Sequence, residues 1–244
     1  SSASYALSSH VEGLTLKAGA AQALEAEGNA LANELQGNEF GNRLLGKEGN
    51  DSLWGFAGGD SLVGGEGADF LDGGAGDDSL YGNAGADVYA HAKGEGRDSV
   101  FGNRLEDTLK LKDVTSTSDV RFERDMDNLE LVIMNGGSEI SRVVLVNLAL
   151  DGASVYDGVK QIEFDDAAKT VWDLATIRTK ALTGTAQDNT NLRGYASNDS
   201  LSGLSGSDAL HGEGGSDTLE GGAGQDALYG GADADTYIYN KGDG

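Results

Sequence analysis

Residues Gly64–Tyr81 read GGEGADFLDGGAGDDSLY, two successive nine-residue units of the form Gly-Gly-x-Gly-x-Asp-x-Leu-x. Outward from this stretch the unit persists without a slip. Its first position is Gly28, Gly37, Gly46, Gly55, Gly64, Gly73 and Gly82. Its sixth is Asn33, Asn42, Asp51, Asp60, Asp69, Asp78 and Asp87, and its eighth is Leu35, Leu44, Leu53, Leu62, Leu71, Leu80 and Tyr89. A second array starts at Gly194, with Asp199, Asp208, Asp217, Asp226 and Asp235 in the sixth column and Leu201, Leu210, Leu219, Leu228 and Tyr237 in the eighth. A fixed period of this kind signals a stacked architecture in which each unit buries its apolar face against its neighbours.

Nine residues accommodate a six-residue turn and a three-residue strand whose middle residue points inward, so two units make one coil of a parallel solenoid. The tight turn calls for positive φ at some positions, which explains the glycine columns. The aspartate columns are harder to accommodate. Coils spaced by about 4.8 Å stack like charges in rows, and such rows do not assemble unless cations lie between them. Calcium suits the arrangement because it takes six to eight oxygen ligands, mixing carboxylates with backbone carbonyls, whereas magnesium prefers an octahedral, partly hydrated shell. Each ion is expected to join aspartates eighteen apart on one edge, as in Asp51 with Asp69, Asp60 with Asp78, Asp69 with Asp87 and Asp199 with Asp217. One inward leucine per unit makes a thin core, so folding and metal uptake are expected to be one event.

The composition agrees. The 244 residues carry 17 Lys and Arg against 41 Asp and Glu, a net charge of −24, with 39 Gly and neither Pro nor Cys. Nucleic acid and anionic membrane surfaces are poor partners because that field repels both. Roughly eight calcium ions would bring the charge towards about −8, an ordinary value for a soluble protein. With no disulfide available, metal is the leading staple. Neither a membrane-spanning stretch nor a cleavable signal is visible, so export is expected to be directed from elsewhere.

Four regions are expected: a cap or degenerate coil over 1–27, a first roll over 28–104, a β-domain over 105–183 and a second roll over 184–244. The third is poorer in glycine and contains alternating runs such as Leu109/Leu111, Val120/Phe122 and Leu129/Leu131/Ile133, read as antiparallel strands. Asn135-Gly136-Gly137 has hairpin chemistry, DMDN at 125–128 reads as another turn, and Asp173 caps a short helix LATIRTKAL. Gly184–Arg193 resembles a unit with one residue too many and is taken as an imperfect cap. YAHAKGEG at 89–96 recurs as YIYNKGDG at 237–244, so the unit is read as duplicated and the chain as a cut fragment. The fold class is therefore all-β: two parallel β-roll blocks separated by a small antiparallel flanking domain with a short helix.

The units GGEGADFLD, GGAGDDSLY and GGAGQDALY (221–229) resemble the haemolysin-type, or RTX, calcium-binding nonapeptide. The segment from DTLKLKDV to VWDLATI is similar to the domain that commonly flanks such repeats. The resemblance implies type I secretion as an unfolded chain and calcium-triggered folding outside the cell, in a parent toxin, adhesin, S-layer protein or secreted hydrolase. A membrane or host receptor is then a partner only of the parent. It also implies metal ligands: the carboxylates of Asp51, Asp60, Asp69, Asp78, Asp87, Asp98, Asp199, Asp208, Asp217, Asp226 and Asp235. To these it adds backbone oxygens of the turn glycines Gly49, Gly58, Gly65, Gly67, Gly74, Gly76, Gly85, Gly206, Gly215, Gly222 and Gly224. Asp98, eleven residues after Asp87, matches the family's terminal GxGxD and is expected to close the last site of the first block. Asn33, Asn42 and Asn189 depart from the pattern and are expected to bind no metal. Asp233, standing where a glycine is expected, either adds a carboxylate or spoils the turn.

No zinc spacing surrounds His10, His91 or His211, no EF-hand survives at Asp125-x-Asp127, and no nucleophile elbow is present. The carboxylates lie in rows instead of an isolated pair, so the chain is read as a binding module and not an enzyme. The rival readings are an accessory region of a secreted hydrolase or epimerase, with 105–180 binding substrate, and an adhesive or S-layer segment built for lateral assembly.

Overall fold

The alternation of a buried eighth residue with half-buried neighbours makes each unit one strand, and the glycine turn sends the next strand to the opposite face. In a computed structural model that describes residues 3–16, 24–102, 106–125, 128–146, 159–184, 192–240 and 243, this builds two facing parallel sheets. The strands run β1 (Ala3–Ala6), β2 (Gly13–Thr15), β3 (Leu24–Glu27), β4 (Glu34–Asn38), β5 (Arg43–Glu48), β6 (Ser52–Phe56) and β7 (Ser61–Glu66). They continue as β8 (Phe70–Asp72), β9 (Ser79–Ala84), β10 (Val88–Ala92), β11 (Arg97–Phe101) and β12 (Asp107–Lys112). Odd-numbered strands stack on one face and even-numbered strands on the other.

The register places the eighth column in line. On one face Ala26, Leu44, Leu62, Leu80 and Val100 are successive partners, and on the other Leu14, Leu35, Leu53, Leu71, Tyr89 and Leu109. From Ala26 and Leu35 onward these side chains are at most 1% exposed. At about 25 cal/mol per Å² of apolar area, a single file of leucines is a modest stabiliser for so glycine-rich a backbone. Parallel pairing already begins in the first 27 residues, where VEGLTL contributes β2 and LEAE contributes β3.

Both sheets run on past residue 104. β12 pairs in parallel with β10 and with β16 (Val159–Phe164), and β15 (Ser138–Leu145) pairs in parallel with β11. Ile162 and Leu145 extend the two leucine files by one more rung. The antiparallel reading holds for β13 (Val120–Asp125), β14 (Asn128–Asn135) and β15, and for β16 with β17 (Val171–Asp173). For β12, and for β16 against β12, it is corrected to parallel. Local alternation reports which side of a strand is buried and says nothing of its neighbour's direction.

Gly136 and Gly137 sit at φ 59° and 87° in the β14–β15 hairpin, as expected. The Asp173 carboxylate accepts the Thr176 N–H at 2.8 Å and caps helix α1 (Leu174–Ala181). Trp172 packs edge-on to Phe164 with centroids 4.5 Å apart and lies beside Phe122, closing this end of the core.

The second block has two three-stranded parallel sheets. One is β18 (Leu192–Arg193), β20 (Ala209–His211) and β22 (Ala227–Tyr229). The other is β19 (Ser200–Ser202), β21 (Thr218–Glu220) and β23 (Thr236–Ile238). The irregular unit Gly184–Arg193, with Asn189, and Met126 and Asp127 of the DMDN turn fall largely outside the described residues.

Candidate metal centre

Each turn ends in a residue whose side chain folds back under its own first glycine. In the first block the sixth-column residues form two rows, Asn33–Asp51–Asp69–Asp87 and Asn42–Asp60–Asp78, all at most 4% exposed. Within a row every backbone N–H but the last donates to the Oδ1 of the residue eighteen further on. The distances are 2.7, 2.8 and 2.9 Å for Asn33 to Asp51, Asp51 to Asp69 and Asp69 to Asp87. For Asn42 to Asp60 and Asp60 to Asp78 they are 2.5 and 2.7 Å. The second block repeats the arrangement from Asp199 to Asp217, Asp217 to Asp235 and Asp208 to Asp226. The carboxylate pairs expected from the sequence are thus brought together.

At Asp51, Asp60, Asp69, Asp78, Asp87 and Asp217 one carboxylate oxygen therefore serves the backbone and the other does not, whereas Asp199 Oδ2 accepts the Tyr195 N–H. Oδ2 of Asp51, Asp60, Asp69, Asp78, Asp87 and Asp217 is buried with no hydrogen-bond partner. A buried carboxylate oxygen in that condition is costly unless a cation faces it. The electrostatics record the cost. Burial, opposed by the backbone hydrogen bond and reinforced by neighbouring row carboxylates, pushes Asp69 and Asp78 up to about 7. Asp60 rises to about 6 by burial, with Asp98 adding to the effect, and Asp51 and Asp87 are raised by burial as well.

The turn glycines named from the sequence all have positive φ, from 87° at Gly74 to 144° at Gly76. Close stacking is the second reason for them. A Cβ on Gly76 would lie 1.8 Å from the Gly58 carbonyl oxygen, and one on Gly67 would lie 2.0 Å from that of Gly49. The turn carbonyls are stacked coil on coil beside the carboxylate rows, the mixed oxygen environment that calcium accepts. Asp233 adopts φ 73° in place of glycine, a conformation aspartate tolerates, so the turn survives the substitution. Among the described residues no three or more His, Cys, Asp or Glu side chains cluster as a ready-made metal site. The donor set is pairs of carboxylates plus carbonyls, and it fits a hard cation and not zinc.

Asparagine replaces this chemistry in the opening turns. Asn33 Oδ1 accepts the Asn29 N–H at 2.7 Å and Asn42 Oδ1 accepts the Asn38 N–H at 2.7 Å, closing the turn without charge. The expectation that these positions bind no metal remains a proposal that this bonding supports.

Asp98 differs from the others. Its Oδ1 accepts the Asp78 N–H at 3.1 Å, so it joins its row, but its Oδ2 lies 2.6 Å from His91 Nδ1, both side chains being buried. Asp107 was missed. It accepts the Asp87 N–H at 2.9 Å, is fully buried, and is pushed up to about 7 chiefly by burial. The signal was available: Gly102, Asp107 and Leu109 occupy the first, sixth and eighth positions of GNRLEDTLK, displaced two residues by the longer turn 91–98. Side-chain stitches at the fifth position were also missed. Asn50 Oδ1 accepts the Ala68 N–H, Asp77 Oδ1 the Arg97 N–H, and Asn198 Oδ1 the Ser216 N–H.

The family model of the RTX calcium-binding nonapeptide repeat matches the chain four times, over 36–71, 54–89, 184–219 and 211–244. No curated protein sequence matches. Among solved structures, the AlgE6R3 subunit of the Azotobacter vinelandii mannuronan C5-epimerase is 23% identical. The alignment covers 53% of this chain and 77% of that one, with a TM-score of 0.21. The extracellular lipase LipA from Serratia marcescens is 14% identical over 91% of this chain and 30% of its own, with a TM-score of 0.24.

Proposed function

The chain carries RTX calcium-binding nonapeptide repeats, and from that premise we propose that it is a module whose rolls fold as calcium enters the carboxylate rows. The observation that carries this reading is the set of buried, unpartnered Oδ2 atoms at Asp51, Asp60, Asp69, Asp78, Asp87 and Asp217. Calcium between successive turns would face these oxygens, with the carbonyls of Gly49, Gly58, Gly67, Gly76 and their counterparts completing the shell. Asp208, Asp226 and Asp235 would act alike in the second block, for a total of roughly eight ions, and Asp199, whose Oδ2 accepts the Tyr195 N–H, would offer its other oxygen. The bound metal would supply charge neutralisation and cross-linking, while the chain's own contribution is the N–H to Oδ1 ladder that holds each carboxylate in place.

The same reading makes the module a non-catalytic part of a secreted parent, a toxin or adhesin, exported unfolded through a type I channel and ordered where calcium is plentiful. The net charge of −24 supports it, since self-repulsion would keep such a chain extended where the cation is scarce. Among the described residues no helix is long and apolar enough to cross a membrane. An accessory role beside a secreted hydrolase or epimerase is the second reading, for which the three strands β13–β15 beyond the repeats would be the substrate-facing surface.

The test is circular dichroism of metal-stripped protein during calcium titration. A coil-like spectrum that gains β signal cooperatively above about 10⁻⁴ M calcium is expected, the range of extracellular sites. An ordered β spectrum that chelation leaves unchanged would refute the coupling.

A further inference from the structure

In each repeat turn from Gly46 to Gly82 the first position is glycine, and one reason is the carboxylate five residues on, joined at Gly46 and Gly55 by the carbonyl oxygen of the glycine eighteen on. A Cβ on Gly46, Gly55, Gly64, Gly73 or Gly82 would lie 2.2–2.3 Å from Oδ2 of Asp51, Asp60, Asp69, Asp78 or Asp87. The bare Cα makes room for that oxygen. In the turn that ends the first block this position is His91, nine residues after Gly82.

The turn is built differently to admit it. HAKGEGRD uses eight residues from first position to aspartate where the other turns use six. Gly94 and Gly96 take φ 89° and 116°, and the Glu95 carboxylate accepts the Ala92 N–H. The imidazole then reaches across, and its Nδ1 lies 2.6 Å from Asp98 Oδ2, with His91 1% and Asp98 0% exposed. His91 is held there by β10, paired with Leu111 of β12. In its row, Asp60 and Asp78 each keep an orphaned Oδ2 and Asp98 does not.

We propose that His91 terminates the calcium row: its imidazole N–H occupies the place beside Asp98 that a cation takes beside Asp60 and Asp78, so no ion is held at Asp98. This rests on the calcium reading above. It gives the row a protein-made end, just as Asn42 gives it an uncharged beginning, and sets a ceiling on the number of ions taken up.

The experiment counts calcium ions bound to the folded 244-residue chain, by native mass spectrometry in calcium-containing buffer, for wild type and three variants. His91→Gly restores the glycine of the other turns and is expected to bind one more calcium than wild type. Asp98→Asn is expected to bind the wild-type number, and Asp78→Asn fewer. A folded His91→Gly chain with the wild-type count, or an Asp98→Asn chain that loses an ion, would overturn the proposal. Asp98→Asn decides the matter even if His91→Gly fails to fold. A wild-type chain that binds no calcium would overturn the calcium reading itself, and this inference with it.

Discussion

The backbone N–H of Asp51 donates to Oδ1 of Asp69 at 2.8 Å, across eighteen residues of sequence, and the N–H of Asp69 donates in turn to Oδ1 of Asp87 at 2.9 Å. Asp69 is thus a link in a chain of carboxylates, each held by the coil before it.

Asp69→Ala should therefore damage more than one turn. It leaves the buried Asp51 N–H without an acceptor, a loss of about 1–3 kcal/mol, and removes a carboxylate that two neighbouring cation positions share. Asn33→Ala, in a turn closed by an amide, should matter less. The expected outcome in a calcium titration followed by circular dichroism is a higher midpoint for Asp69→Ala than for Asn33→Ala. Equal midpoints would mean that the ligand assignment is wrong.

The raised carboxyls give the metal-free roll an unusual pH dependence. Asp60, Asp69, Asp78 and Asp107 are pushed up to about 6, 7, 7 and 7, whereas an unfolded aspartate titrates near 3.9. Between those values the folded chain holds more protons than the unfolded one, so the stability of the metal-free fold falls as pH rises from about 4 to 7. Protein stripped of calcium on a chelating resin should show more β signal at pH 4.5 than at pH 8. Calcium displaces these protons, so its binding should release protons and tighten as pH rises. A calcium affinity that weakens between pH 5.5 and 7.5 would contradict this.

The nine-residue period made the rolls legible because it is written in three columns with three separate physical reasons: positive φ, cation affinity and a buried leucine. The extension beyond residue 100 was less legible. Leu109 and Leu145 sit in the same files as Leu71 and Leu80, yet the long turn at 91–98 shifts the register by two and β15 arrives from a hairpin. Pairing direction is a tertiary property, so the alternation in β12 and β16 looked the same as that of true antiparallel strands. Aspartate roles were legible as a column and not residue by residue. Nothing at the level of spacing says that Asp98 spends its second oxygen on His91, a contact made across a turn.

Two glycines with positive φ separate conformational strain from steric collision. Gly94, at φ 89°, has open space where a Cβ would stand, so Gly94→Ala should cost about 1 kcal/mol through backbone strain alone. Gly76, at φ 144°, would drive its Cβ into the Gly58 carbonyl, and Gly76→Ala should cost several times more by prising two coils apart. Urea midpoints of the calcium-loaded chains measure the difference. Similar losses at the two positions would show that the turns are loosely stacked.

Asp107 tests whether the carboxylate row extends past the matched repeats. It is 0% exposed, and its Oδ1 is the acceptor for the buried Asp87 N–H. The Tyr89 hydroxyl, which accepts the Gly82 N–H at 3.0 Å, stands beside its second oxygen. Asp107→Ala removes the acceptor and should cost about 1–3 kcal/mol, whereas Asp107→Asn keeps an oxygen for the Asp87 N–H and should recover most of that stability. If Asp107→Asn is as damaging as Asp107→Ala while the chain remains folded, the carboxylate charge is what matters there, and Asp107 is a metal ligand instead of an end-stop for the ladder.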